Sequence, residues 1–239
     1  MKGFFITGTD TDVGKTWFTA RLCRFLRQNK IDCGIWKPVQ SGFPANASDS
    51  DRSILKDIAQ LDDSIDEICS MTFEKTLTPF LAAKAEGKTI DWQTLMSHGS
   101  LLANKHDCML VEGAGGIAVP ITENKMMIDL AVELNLPVII IARPGLGTIN
   151  HSILTIDYLK QHGLTIAGLI MNGYDNTHEF AKSLSEIKNW TSIATNPLLI
   201  ELFSNQQILG KIPLDNDIVD ISDFIDRKKL INLMNDQLN

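Results

Sequence analysis

A short apolar run, Gly3–Gly8, leads into Gly8-Thr-Asp-Thr-Asp-Val-Gly14-Lys15-Thr16, and the amphipathic run Lys15–Gln28 begins on the last two of these residues. No other feature constrains the fold as much as this strand, turn and helix. Successive N–H groups in such a turn form an anion-binding concavity, and the helix N-terminus adds the positive end of its dipole. A lysine and a hydroxyl residue at its end are placed for terminal phosphates and Mg²⁺. Five residues, rather than the usual four, separate Gly8 from Gly14, so Thr9 occupies the first-glycine position. The competing reading is an ordinary strand–turn–helix junction with a chance Gly-Lys-Thr.

Similar apolar runs recur at Gly3–Gly8, Cys33–Val39, Cys108–Glu112, Pro137–Ala142, Thr165–Asn172 and Ile208–Pro213. The central ones are continuously apolar, as parallel strands covered on both faces require. Helical patterns fall between them: Lys15–Gln28, Ser50–Gln60, Asp91–Lys105, Met126–Leu134, Ile149–Gln161, His178–Asn189 and Ser222–Leu238. The alternation predicts an α/β fold with a mostly parallel, doubly wound sheet. With no linker or repeat, residues 1–239 are expected to form one P-loop domain.

Composition removes other classes. A net charge of −7 disfavours a general nucleic-acid binder. The longest clean apolar run, Leu136–Ala142, is far short of the ~20 residues that span a bilayer. No membrane partner is expected, and a cytoplasmic location is. Cys23, Cys33, Cys69 and Cys108 form no C-x-x-C pair and are read as buried thiols rather than two disulfides.

Further motifs narrow the chemistry. In Cys108-Met-Leu-Val-Glu112-Gly113-Ala114-Gly115-Gly116 a strand ends on a carboxylate and a glycine-rich turn. A carboxylate there lies in the crevice where open α/β sheets bind ligands, and its hard oxygens suit Mg²⁺. Lys37-Pro38-Val39-Gln40-Ser41-Gly42 ends the second strand, so Lys37 either faces the crevice as a charge stabiliser or is simply solvated. Asp49-Ser50-Asp51 precedes a helix. Asp49 fits an N-capping role, and Asp51 either shares it or joins Thr16 and Glu112 at a metal. Gly147-Thr148-Ile149-Asn150 opens a helix that could hold a carboxylate, or is an ordinary turn. Asn172-Gly173 offers donor and acceptor to a nucleobase edge, or caps a turn.

In order, GTDTDVGKT, KPVQSG, SDxxxL, VEGAGG, PVIII, LGTINH, GLIMN and LGKIP resemble the dethiobiotin synthetase family over residues 2 to 213. The resemblance implies a P-loop α/β homodimer. It implies carboxylation of 7,8-diaminononanoate by CO₂, then ureido ring closure driven by ATP and Mg²⁺ through a carbamic–phosphoric anhydride. Asp12, Val13, Gly14, Lys15, Thr16 and Trp17 would hold the nucleotide phosphates. Thr16, Asp51 and Glu112 would hold Mg²⁺, and Lys37 with Lys15 would stabilise phosphoryl transfer. Thr11 and Ser41 would contact substrate, Glu112, Gly113, Ala114 and Gly115 would line the site, and Asn172, Gly173, Ile212 and Pro213 would hold adenine. Gly147, Thr148, Ile149 and Asn150 of the second subunit would receive the substrate's tail carboxylate.

Two departures stand out. Asp12 replaces the Glu of many members, and Thr76-Leu77-Thr78-Pro79-Phe80 replaces a Pro-x-Ser-Pro-His pattern, which leaves the covering role of that segment open. Two rivals remain. A related P-loop amidoligase usually carries a glutaminase domain, for which 239 residues leave no room. A P-loop switch ATPase commonly has an extra lysine early in the loop, and residues 9–13 contain none.

Overall fold

Strand β1 (Gly3–Gly8) is the centre of a seven-stranded sheet, flanked by β4 (Cys108–Gly116) and β5 (Val138–Ala142). Outward from β4 lie β2 (Cys33–Ser41) and β3 (Cys69–Phe73), and outward from β5 lie β6 (Ile166–Tyr174) and β7 (Ile208–Pro213). Every strand pair is parallel. The computed structural model describes residues 1–44, 47–174, 180–181, 183–188, 190–214 and 220–238.

Alternation along the strands divides the core between two faces. Phe4, Ile6, Ile35, Leu110, Ile139 and Ile141 pack under α1 (Lys15–Gln28), α2 (Asp51–Ala59), the four-residue α3 (Ile65–Ile68) and α9 (Arg227–Leu238). Phe5, Trp36, Met109, Val111, Val138 and Ile140 pack under α4 (Pro79–Ala85), α5 (Trp92–Ala103), α6 (Met127–Leu134), α7 (Thr148–Gln161) and α8 (Ser192–Ser204). Each such fully buried side chain contributes about 1.5–3 kcal/mol. This two-faced burial explains the continuous apolar runs. The four cysteines are free and buried. Among the described residues no helix is long and apolar enough to cross a membrane.

Three differences from the sequence expectations have physical causes. Gly113–Gly116 continue β4 rather than turning, because Gly116 pairs with Gly8 in the neighbouring strand. Strand β2 likewise runs past Val39 to Ser41, where it pairs with β3. Lys37 is therefore inside the sheet rather than at a solvated end, and only 2% exposed. The expected helix at 178–189 is reduced, among the described residues, to one 3-10 turn at Leu184–Glu186. The helix of that region is α8, capped by the Thr191 hydroxyl, which accepts from Ala194 N–H.

Candidate active site

Because all strands are parallel, Gly8, Ser41, Gly116, Ala142, Tyr174 and Pro213 end on one edge of the sheet. The loop after β1 wraps over that edge. Asp12 and Gly14 both take positive φ, 56° and 89°, which turns the backbone into the helix. Asn172, arriving on β6, donates from Nδ2 to the Val13 carbonyl at 3.0 Å and fastens the loop to the sheet. Lys15 folds back, donating from Nζ to the Asp10 carbonyl at 3.2 Å. Gly14 accepts the Phe18 N–H at 3.0 Å, so α1 starts where the loop ends.

Beneath the loop four ionic or polar side chains from four elements converge. Thr16 Oγ1 lies 2.7 Å from Glu112 Oε1 and 3.0 Å from Asp51 Oδ1. Lys37 Nζ lies 2.5 Å from Asp51 Oδ2 and 2.6 Å from Glu112 Oε1. Glu112 is fully buried, and its Oε2 has no hydrogen-bond partner in the protein. Burying such charges is costly unless they are paired, so each pins the others. Burial alone would lower the Lys37 pKa; the carboxylates of Glu112 and Asp51 outweigh it and raise it above the ordinary lysine value. Burial would likewise raise Asp51, but Lys37 and Thr16 hold it below the usual carboxylate range. Lys15 is lowered, first by burial and then by the Lys37 charge.

Lys15, Thr16, Lys37 and Asp51 border a cleft of about 630 Å³, and Glu112 lies buried behind them. Thr11, Asp12, Gly14, Lys15, Thr16 and Trp17 form one wall; Lys37, Gln40, Ser41 and Asp51 form another; Ala114 and Gly115 close the third. Thr76, Leu77, Thr78 and Pro79 also line the cleft. Ser41 donates from Oγ to the Leu77 carbonyl at 2.7 Å, which ties that segment to β2.

Other expected site residues stand apart. Val13 is buried behind the loop, and Gly113 backs onto Met127 and Phe5. Asn172 and Ile212 are register partners on β6 and β7, with Gly173 and Pro213 following, along the same sheet edge but outside the cleft wall. Gly147 caps α7, and it, Thr148, Ile149 and Asn150 also lie outside the wall within one chain. Their loop is anchored where Asn196 Nδ2 meets the Pro144 and Gly145 carbonyls at 2.8 and 3.2 Å. Arg143 reaches Asp10 at 3.4 Å, linking this loop to the one after β1. Asp49 is exposed and takes no part in the cluster. Sequence reasoning passed over several residues of the site, among them Gln40, whose only signal is its place inside KPVQSG, and Asp10, whose carbonyl holds Lys15.

A fully parallel α/β sheet carrying this loop, with a hydroxyl, two carboxylates and two lysines gathered at its foot, defines a P-loop nucleotide-binding protein. The comparisons agree. The MinD cell division protein of Aquifex aeolicus superposes with a TM-score of 0.56 at 16% identity, covering 99% of this chain and 96% of that one. A ParA family ATPase from Chlorobium tepidum gives 0.51 at 16%, covering 98% and 91%. At that identity the likeness shows the fold alone. A family model described as an AAA domain matches residues 2–222.

The ATP-dependent dethiobiotin synthetase of Bacillus subtilis strain 168 is 42% identical over 89% of this chain and 87% of its own length. That of Bacillus licheniformis is 38% identical over 98% and 97%. The chain belongs to the ATP-dependent dethiobiotin synthetase family.

Proposed function

We propose that this chain uses ATP to make dethiobiotin, in biotin biosynthesis, from 7,8-diaminononanoate and CO₂. The observation that carries the reading is Lys37 wedged between Glu112 and Asp51 beneath the P-loop, on a cleft large enough for a nucleotide end and a small substrate. The substrate supplies its own nucleophiles. One amine takes up CO₂ as a carbamate, whose oxygen attacks the γ-phosphorus while ADP leaves. The second amine then attacks the carbamoyl carbon, and phosphate departs as the ring closes. The protein's task is positioning and charge stabilisation, which Lys15, Lys37 and the loop N–H groups provide. Thr11 and Ser41 hold the diamine end, with Glu112–Gly115 along the site. Asn172, Gly173, Ile212 and Pro213 lie on the side where adenine is bound.

Mg²⁺ fits the residues present. Thr16, Asp51 and Glu112 bring hard oxygen ligands together from three elements, and Glu112 Oε2 is a buried carboxylate oxygen with nothing to bind. These three would hold the ion, which supplies charge neutralisation at the phosphate oxygens. The working form is a homodimer in which residues 147–150 of a second copy take the substrate's tail carboxylate. Support comes from the α7 N-terminus, whose Thr148 hydroxyl is buried and unpartnered, beside the exposed Leu146.

The product tests the reading. Incubation with ATP, Mg²⁺, the diamine and ¹³C-bicarbonate is expected to yield dethiobiotin carrying one ¹³C at the ureido carbon. Unlabelled product, or none from folded protein, would overturn it.

A further inference from the structure

Helix α2 begins at Asp51, yet its N-cap, Ser50, makes no side-chain capping bond. The Ser50 hydroxyl is turned instead toward Ser53 Oγ, at 2.9 Å. One free N–H of the first turn is satisfied from another element: Arg52 N–H donates to Gln40 Oε1 at 2.9 Å, in a buried contact. Gln40 is 1% exposed, sits on β2 three residues after Lys37, and lines the cleft. Because Oε1 must accept from Arg52, the orientation of the amide is set, and Nε2 is left buried without a partner. A capping bond is ordinarily local. Here it runs from the strand that carries Lys37 to the helix that carries Asp51.

We propose that Gln40 is a positioning residue for the cation site: by capping α2 from β2, it fixes Asp51 against Thr16 and Lys37. A helix start held only by its own N-cap could pivot about the turn before it. Held by Gln40, the Asp51 carboxylate is indexed to the same strand as Lys37. Residues one step removed from a metal typically alter its affinity ~10–100-fold through the ligand they orient.

The inference rests on Thr16, Asp51 and Glu112 holding a divalent cation, and the experiment separates the two claims. The probe is Mn²⁺, followed by electron paramagnetic resonance in the presence of ADP. ADP affinity in EDTA serves as the check that the P-loop is intact. Asp51→Asn should weaken Mn²⁺ at least ~10-fold, and Asp49→Asn should not. Gln40→Met, similar in length but with only a weakly accepting thioether in place of the amide oxygen, should weaken Mn²⁺ ~10-fold and leave metal-free ADP binding within about two-fold. In the double variant Gln40→Met, Asp51→Asn, Mn²⁺ affinity should match Asp51→Asn alone, because Gln40 acts only through that carboxylate. Full additivity, an unchanged Mn²⁺ affinity in Gln40→Met, or a matching loss of metal-free ADP binding would each overturn the positioning role. If Asp51→Asn itself binds Mn²⁺ normally, the cation site is wrong and the inference falls with it.

Discussion

Lys37→Met is expected to lower the turnover of dethiobiotin formation ~10²–10³-fold, the usual loss when one charge-stabilising contact is removed from a transition state. A second effect follows from burial. Glu112 is fully buried and Asp51 half-buried, and both use Lys37 as a counter-charge. Removing one partner of a buried pair costs about 3–5 kcal/mol, because the remaining charge is stranded. Most domains of this size can bear that loss and stay folded. The pH dependence has a definite sign. Lys37 is raised in the fold, so its contribution is complete below the ordinary lysine pKa of ~10.4 and fades as pH climbs through the folded value. Asp51 is lowered, so its contribution is complete above ~3.9 and fades as pH falls through the folded value. In Lys37→Met nothing comparable depresses Asp51, so the acid-side loss of stability should shrink and the variant's deficit should be smallest at low pH, where Asp51 is protonated; Mg²⁺ should restore part of the loss by replacing the missing charge. Urea melts across pH, with and without Mg²⁺, read this directly. Turnover within a few-fold of wild type would remove Lys37 from the chemistry.

Gly14→Ala should weaken ATP binding ~10–300-fold. At φ 89° an alanine costs ~1–2 kcal/mol, and its Cβ would sit 2.1 Å from Asn172 Nδ2. Asn172 must then release the Val13 carbonyl, a partly buried hydrogen bond that contributes ~0.5–1.5 kcal/mol. The sum, at 1.4 kcal/mol per tenfold, gives the expected range. Gly145→Ala is the matched control, since nothing lies within 4 Å of its added Cβ. Calorimetric titration with ATP separates them; equal affinities for the two variants would show that the tight loop is dispensable.

Six of the seven strands were legible because a parallel strand buried on both faces must be apolar throughout. The seventh, β3, pairs only with β2 at the sheet edge. Its sequence, Cys69-Ser-Met-Thr-Phe73, is half-exposed in the middle, and Ser70 serves the Trp36 indole as an acceptor at 2.8 Å. Nothing in such a run announces a strand. Helix α8 was hidden by Asn196-Pro197, which reads as a breaker in isolation. In the fold Asn196 points its amide at the Pro144 and Gly145 carbonyls.

The cluster was legible as a set of residues but not as an arrangement. Spacing and resemblance named Thr16, Lys37, Asp51 and Glu112, and the fold brings all four within hydrogen-bonding distance. The burial of Lys37 was not legible, because a lysine inside a strand is tolerated only where carboxylates from other elements meet it. Gln40 was passed over for the same reason: its partner, Arg52, arrives from a different element. The separation of residues 147–150 from the cleft follows from topology, since α7 lies on the far side of β1 from β2.

The central claim is that phosphoryl transfer at Lys37, Thr16, Asp51 and Glu112 is spent on closing a ring. Its most direct test is the ratio of ADP to dethiobiotin, measured with the diamine and bicarbonate each present or withheld. ATP turnover is expected to need both, with roughly one ADP formed per dethiobiotin, the stoichiometry of a single phosphorylated intermediate. ATP hydrolysis at an unchanged rate without the diamine, the behaviour of a switch ATPase on the same fold, would contradict it.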